Sequence, residues 1–134
     1  MSIQQPGRAT PRVLVRAYSN PEQLDASIAF YERVLGVARG MRFTFPEADL
    51  ELAAIGSILL VCGSEQALAR VRATAATILV DRLDDHATLL RDAGAEILDG
   101  PTPVPTGRNL HARHPDGLLV EYVEHRPNSR AQPE

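Results

Sequence analysis

The spacing of apolar residues changes along the chain in a way that predicts alternating strands and helices. Residues 12–18 form a short, mostly apolar run that is typical of a strand. Asn20 and Pro21 then provide a helix start, and Gly36 is suited to end a helix. Between them lies an apolar stripe at helical spacing, made by Leu24, Ile28, Tyr31 and Leu35. Three short strands are predicted next, over residues 42–45, 49–55 and 57–62.

The same order of elements recurs in the second half. Residues 75–80 are predicted as a strand, and a helix follows from Asp81 or Asp84 to residue 93. The remaining segments are predicted to be a short strand, a Pro-rich loop and a closing hairpin, over residues 96–98, 100–107 and 109–125. The pattern predicts an α+β fold in which two tandem βαβββ modules, residues 12–62 and 73–125, form a curved mixed sheet around a cleft, with the helices outside. Residues 1–11 and 126–134 are expected to be flexible tails of this single domain.

The closing hairpin contains the most informative motif, His114-Pro115-Asp116-Gly117. Pro, Asp and Gly favour a tight turn, and this turn would place His111 directly across from Glu121. Glu121 should face the cleft, because an unpaired carboxylate beneath a helix is costly. We therefore expect the His111 and Glu121 side chains within hydrogen-bond or single-water distance, with Arg113 near them on the same face.

Composition narrows the possible partners. The 134 residues carry a net charge of -3, which gives no reason to expect nucleic acid or an anionic membrane. Cys62 is the one cysteine of the chain, so no internal disulfide forms and a reducing cytoplasm is expected. No apolar run approaches the roughly 20 residues of a membrane span.

Four stretches together resemble the vicinal oxygen chelate superfamily, which includes glyoxalase I, bleomycin-resistance proteins, extradiol dioxygenases, methylmalonyl-CoA epimerase and fosfomycin-resistance enzymes. They are residues 27–36, Val80-Asp81, Ala93-Gly94-Ala95, and the hairpin motif with Glu121. The resemblance spans residues 12–125 and implies a cleft protein that often forms homodimers. It is specific for the fold and says little about the reaction.

The resemblance also implies a metal site with ligands from the first and last strands of each half. In the second half these positions fall on Ala75 and Glu121. In the first half the last-strand position falls on Leu60, and the first-strand position on Val13, or on Arg16 if the register shifts. Glu121 is the one metal-binding side chain among them, and a divalent cation needs about four to six ligands. We therefore expect no cofactor, with a divalent metal as the family alternative.

Two functions of different classes remain open. The first is binding of a small organic molecule in the cleft, without the family metal and by a homodimer. Its candidate ligand-binding residues are Arg113, Arg108, Asn109 and Leu60. The second is lyase, isomerase or dioxygenase chemistry, with His111 and Glu121 as an acid–base pair or as part of a variant metal site with Asn109. The alternative for Glu121 and His111 is an ordinary polar pair in the cleft wall.

Overall fold

The computed structural model describes residues 10–125. Residues 1–9 and 126–134, on which most of the predicted flexible tails fall, lie outside the described residues. The first half contains one α-helix and four strands, β1 (Arg12–Ser19), α1 (Leu24–Leu35), β2 (Arg42–Phe45), β3 (Leu50–Ile55) and β4 (Ile58–Gly63), with short 3-10 turns at Pro21–Gln23 and Pro46–Ala48. A connecting helix, α2 (Glu65–Val71), leads to the second half, β5 (Ala76–Val80), α3 (Leu83–Asp92), β6 (Glu96–Val104), β7 (Gly107–Arg113) and β8 (Leu119–His125).

The strands form one mixed, curved sheet of eight, in the order β2-β3-β4-β1-β5-β8-β7-β6. Within each half the first strand pairs in parallel with the last, β1 with β4 and β5 with β8. The halves join through antiparallel pairing of β1 and β5. The α+β prediction of two βαβββ units is thus confirmed.

Helices α1 and α3 cover the outer face of the sheet, one in each half. Leu24 and Ile28 of α1 pack on Ile55 and Cys62, and Leu83 of α3 belongs to a second buried cluster. A third cluster, which includes Leu14, Leu52 and Val61, lies on the inner face. Among residues 10–125, no helix is long and apolar enough to cross a membrane.

Three local predictions differ from the structure. Helix α2 is absent from the predicted elements; the Ser64 side chain begins it by accepting the Ala67 N–H at 3.1 Å. Strand β6 runs through the segment expected to be a loop, since an edge strand tolerates prolines. The residue at the N-cap position of α3 is Arg82, not Asp81 or Asp84, and its side chain makes no capping hydrogen bond; the Glu124 carboxylate of β8 accepts the Leu83 N–H at 2.8 Å.

Candidate functional site

A cavity of about 100 Å³ lies on the concave face of the sheet, between the two halves. Its first-half wall is mainly apolar and includes Phe43, Phe45, Leu52, Leu59 and Val61. Its polar side chains come chiefly from the centre and the second half, namely Arg16, Thr77, Thr106, Asn109, His111, Glu121 and His125. The cavity therefore has one apolar side and one hydrogen-bonding side.

Arg16 and Glu121 form an ion pair within this cavity. Arg16 Nη2 lies 2.8 Å from Glu121 Oε1, and the two side chains are 5% and 15% exposed. Period-two alternation explains the meeting, because Arg16 follows the buried Leu14 on the inner face of β1, and Glu121 precedes Val123 on the inner face of β8. Strand β5 lies between β1 and β8, and the two side chains meet across it.

Neighbouring side chains complete the hydrogen bonding of the pair. Thr77 Oγ1 donates to Glu121 Oε1 at 2.9 Å and accepts from Arg16 Nε at 3.0 Å. Asn109 Nδ2 donates to the other carboxylate oxygen at 2.7 Å. Arg16 Nη1 donates to the Tyr18 hydroxyl, which in turn donates to the Thr74 carbonyl at 2.6 Å. Both charges are thus held by a connected network from four strands.

The network keeps Glu121 ionised. Burial alone would raise the pKa of Glu121, but the Arg16 charge, the Asn109 hydrogen bond, the nearby His111 and the Thr77 hydrogen bond together lower this pKa below its ordinary value. A carboxylate with a lowered pKa and three donors is a weak proton acceptor near neutral pH.

His111 lies directly across from Glu121 in the β7–β8 register, as predicted. Its ring, however, is hydrogen bonded to a different carboxylate, with Nδ1 2.9 Å from Asp99 Oδ1 of β6. The His111 backbone N–H donates to the same oxygen at 3.1 Å. Asp99 is missing from the predicted site residues, because its register against β7 follows an irregular pairing in β6 that no local pattern indicates.

The structure brings some predicted site residues to the cavity and places others elsewhere. Asn109, His111 and Glu121 line it. Arg113, which was expected near them, does not line the cavity: its side chain is 50% exposed and lies 3.9 Å from Glu96. Arg108 projects from the other face of β7 and pairs with Asp84 and Glu124 beside α3, at 3.2 and 3.3 Å.

The placement of Leu60 at the cleft is also wrong. Leu60 is buried beneath α1, and its neighbour Leu59 lines the cavity. The error comes from superposing the two hairpin glycines. In both hairpins the paired strand resumes two residues after the glycine, at Ile58 and at Leu119. Ile58 packs with the cluster beneath α1, whereas Leu119 lies on the same face as Glu121, so superposing the glycines exchanges the two faces of the strand.

The parallel pairing of the first and last strands in each half shows which first-strand residues face the cavity. Arg16 pairs with Leu59, and Thr77 pairs with Glu121 in the same parallel arrangement. Of the residues considered for these positions, Arg16 faces the cavity together with Thr77, whereas Val13 and Ala75 do not line it. Val13 points outward, and Ala75 precedes β5. Arg16 could have been recognised as the one charged residue between apolar positions of β1.

The side chains at these four positions do not fit a divalent metal. Arg16 is itself a cation, Leu59 offers no ligand atom, and both oxygens of Glu121 accept hydrogen bonds from protein donors. In the described part of the chain, no three His, Cys, Asp or Glu side chains are grouped as a metal site. The guanidinium of Arg16 supplies the positive charge beside Glu121.

Comparison with known structures supports the fold. A structure of an uncharacterised protein from Methanosarcina mazei shares 49% sequence identity at a TM-score of 0.78, covering 86% of this chain and 92% of that chain. Methylmalonyl-CoA epimerase from Mycobacterium tuberculosis shares 20% identity at a TM-score of 0.59, covering 87% of both chains. A variant of Streptomyces coelicolor methylmalonyl-CoA epimerase in complex with 2-nitronate-propionyl-CoA shares 19% identity at a TM-score of 0.55, covering 88% of this chain and 94% of that chain.

Comparison at the level of sequence families gives the assignment. No functionally curated protein matches the sequence significantly. The model of the Glyoxalase/Bleomycin resistance protein/Dioxygenase superfamily matches residues 16–122, a span that runs from Arg16 in β1 to Tyr122 in β8. With that match and the shared fold, the chain belongs to the Glyoxalase/Bleomycin resistance protein/Dioxygenase superfamily.

Proposed function

We propose that this protein binds a small organic molecule in the cavity between its two half-sheets, and that it does so without a divalent metal. The observation that carries the proposal is the Arg16–Glu121 ion pair, at 2.8 Å, on the strand positions where the family resemblance implies metal ligands. A metal bound to Glu121 would have to displace Arg16 and face its positive charge. Coulomb repulsion in a buried site makes that exchange unfavourable.

The lining indicates the kind of molecule. Phe43, Phe45 and Leu52 offer an apolar wall for a hydrocarbon or ring portion. Arg16 uses three of its five N–H groups to bond Thr77, Tyr18 and Glu121. The remaining N–H groups suit an oxygen of the ligand, such as a carbonyl or carboxylate. A volume of about 100 Å³ favours a compact ligand over a large planar drug.

We also propose that the protein acts as a homodimer. Val13 and Val15 lie on the outward face of β1 and are 51% and 54% exposed, although β1 is a central strand of the sheet. Helices α1 and α3 pack over the outer strands on either side and leave this strip open. A second copy covering the strip would bury it. The sheet edges give a weaker argument for dimerisation. Pro101 and Pro103 lie in edge strand β6 and have no N–H group to donate to a strand of a second copy.

The other partner proposals follow from charge and cysteine content. A net charge of -3 gives no attraction to nucleic acid or anionic membranes, so neither is proposed as a partner. Cys62 is buried and free, which suits the reducing cytoplasm proposed as its location.

A thermal-shift screen of small carbonyl compounds and organic acids, run in the presence of EDTA, tests the proposed function. A ligand should raise the melting temperature of the wild type, because binding to the folded state stabilises it. The shift should be lost in Arg16→Gln and kept in Arg113→Gln, the matched control whose side chain lies outside the cavity. Compounds that raise the melting temperatures of both variants equally would show that they bind outside the cavity.

A further inference from the structure

Asp99 and His111 form a carboxylate–imidazole pair at the cavity that the binding function does not use. We propose that His111 accepts a proton from the bound molecule and returns it, and that Asp99 is the positioning residue that holds the imidazole for this task. The proposal rests on the proposed function, since it requires a ligand in the cavity. It adds an activity, proton transfer leading to isomerisation of a small molecule.

The geometry of the pair determines which ring nitrogen is left to accept a proton. Asp99 Oδ1 lies 2.9 Å from His111 Nδ1, and it also accepts the His111 backbone N–H at 3.1 Å. A carboxylate partner places the proton of the neutral ring on Nδ1 and leaves the lone pair on Nε2. The His111 side chain is 29% exposed and lines the cavity, so a ligand can reach this ring.

Glu121 and His114 are less suitable as proton acceptors than His111. Glu121 is bonded by three donors and has a lowered pKa, as described above. His114 directs Nε2 to the Tyr122 hydroxyl at 2.7 Å, on the helix side of the sheet. Among the hydrogen bonds of residues 10–125, His111 is the cavity histidine whose Nδ1 lies against a carboxylate.

The proposed step is balanced without a further reactant. A C–H or O–H bond of the ligand breaks, its proton goes to His111 Nε2, and the electron pair stays on the ligand as an oxyanion. Arg16, in the same cavity, provides the positive charge that stabilises this oxyanion. The proton then returns to a different face or atom of the ligand, and His111 is neutral again. The fitting substrate class is a small carbonyl compound with an acidic hydrogen.

The tautomer of His111 tests the role of Asp99 directly. Long-range ¹H–¹⁵N NMR spectra of the full chain, above the pH at which the ring is protonated, should show His111 with its proton on Nδ1. Asp99→Ala should move that proton to Nε2, because Nδ1 loses the acceptor that holds its proton. Asp99→Glu should restore the wild-type tautomer, and Glu96→Gln, on the same strand, should leave it unchanged.

Carbethoxylation by diethyl pyrocarbonate tests whether Nε2 is reactive and accessible. His111 should be modified faster than His114, and Asp99→Ala, which removes the acceptor for Nδ1–H, should slow its modification by at least roughly tenfold. Peptide mass spectrometry follows each histidine separately. A wild-type His111 with the proton on Nε2, or a modification rate that Asp99→Ala does not change in a folded variant, would overturn the proposal. Neither measurement requires a ligand, so its failure is distinguishable from failure of the binding proposal.

Discussion

Arg16 and Glu121 are 105 residues apart in the chain, yet their side chains meet at 2.8 Å in the cavity. The contact joins the first strand of one half to the last strand of the other. It completes a hydrogen-bond network with Thr77, Asn109 and Tyr18 that holds the polar side chains of the cavity in place. The pair therefore links the packing of the two halves to the chemistry of the site.

Removing one partner of this pair should strongly destabilise the fold. Arg16→Met leaves the Glu121 carboxylate buried without its counter-charge, and such changes cost about 3–5 kcal/mol in the free energy of unfolding. Urea unfolding followed by circular dichroism measures the loss. Arg113→Met should change this free energy by less than about 0.5 kcal/mol, since the residue is exposed.

The double variant Arg16→Met with Glu121→Leu should be more stable than Arg16→Met alone. Replacing both charges with apolar groups removes the uncompensated carboxylate, and buried pairs replaced in this way lose little stability or even gain some. A double variant that is as unstable as the sum of its single variants would show that the pair is not coupled.

Acid should remove the contribution of Glu121 to stability. Because its pKa is lower in the folded than in the unfolded chain, the stabilisation is fully present above the ordinary value of 4.5 and is lost as the pH falls through the folded value. The difference in unfolding free energy between wild type and Glu121→Gln should stay constant near neutral pH and shrink in acid. A difference that grows in acid would contradict this ion-pair account.

The open strip on β1 should mediate self-association. Light scattering of the wild type at micromolar concentration should give twice the chain mass of 14.6 kDa. Val13→Glu should shift the protein to monomer, because a charge in a buried interface is costly. Leu89→Glu, at an exposed apolar position of α3, is the matched control and should leave the dimer intact. A monomeric wild type would contradict the proposed homodimer.

Much of the fold could be predicted from local patterns. Helical spacing located the first helix, and Asn20, whose side chain accepts the Gln23 N–H, begins the short 3-10 turn that leads into it. The Pro115-Asp116-Gly117 turn fixed the pairing of His111 with Glu121. These features depend on residues close in sequence, where propensity and alternation act directly.

The partners within the site could not be predicted in this way. Arg16 reaches Glu121 across β5, and Asp99 reaches His111 through the irregular β6 pairing. Both contacts depend on how distant strands are ordered and registered. The error at Leu60 shows the same limit, because the first paired residues after the two hairpins, Ile58 and Leu119, lie on opposite faces of the sheet.

Metal titration tests the central claim that Arg16 takes the place of a metal at Glu121. Wild-type protein stripped with a chelator would be titrated with Zn²⁺, Ni²⁺, Mn²⁺ and Co²⁺ by calorimetry, with Glu121→Gln as the comparison. The account predicts no stoichiometric uptake by the wild type and equal melting temperatures with and without EDTA. Stoichiometric binding that raises the melting temperature of the wild type and disappears in Glu121→Gln would contradict it.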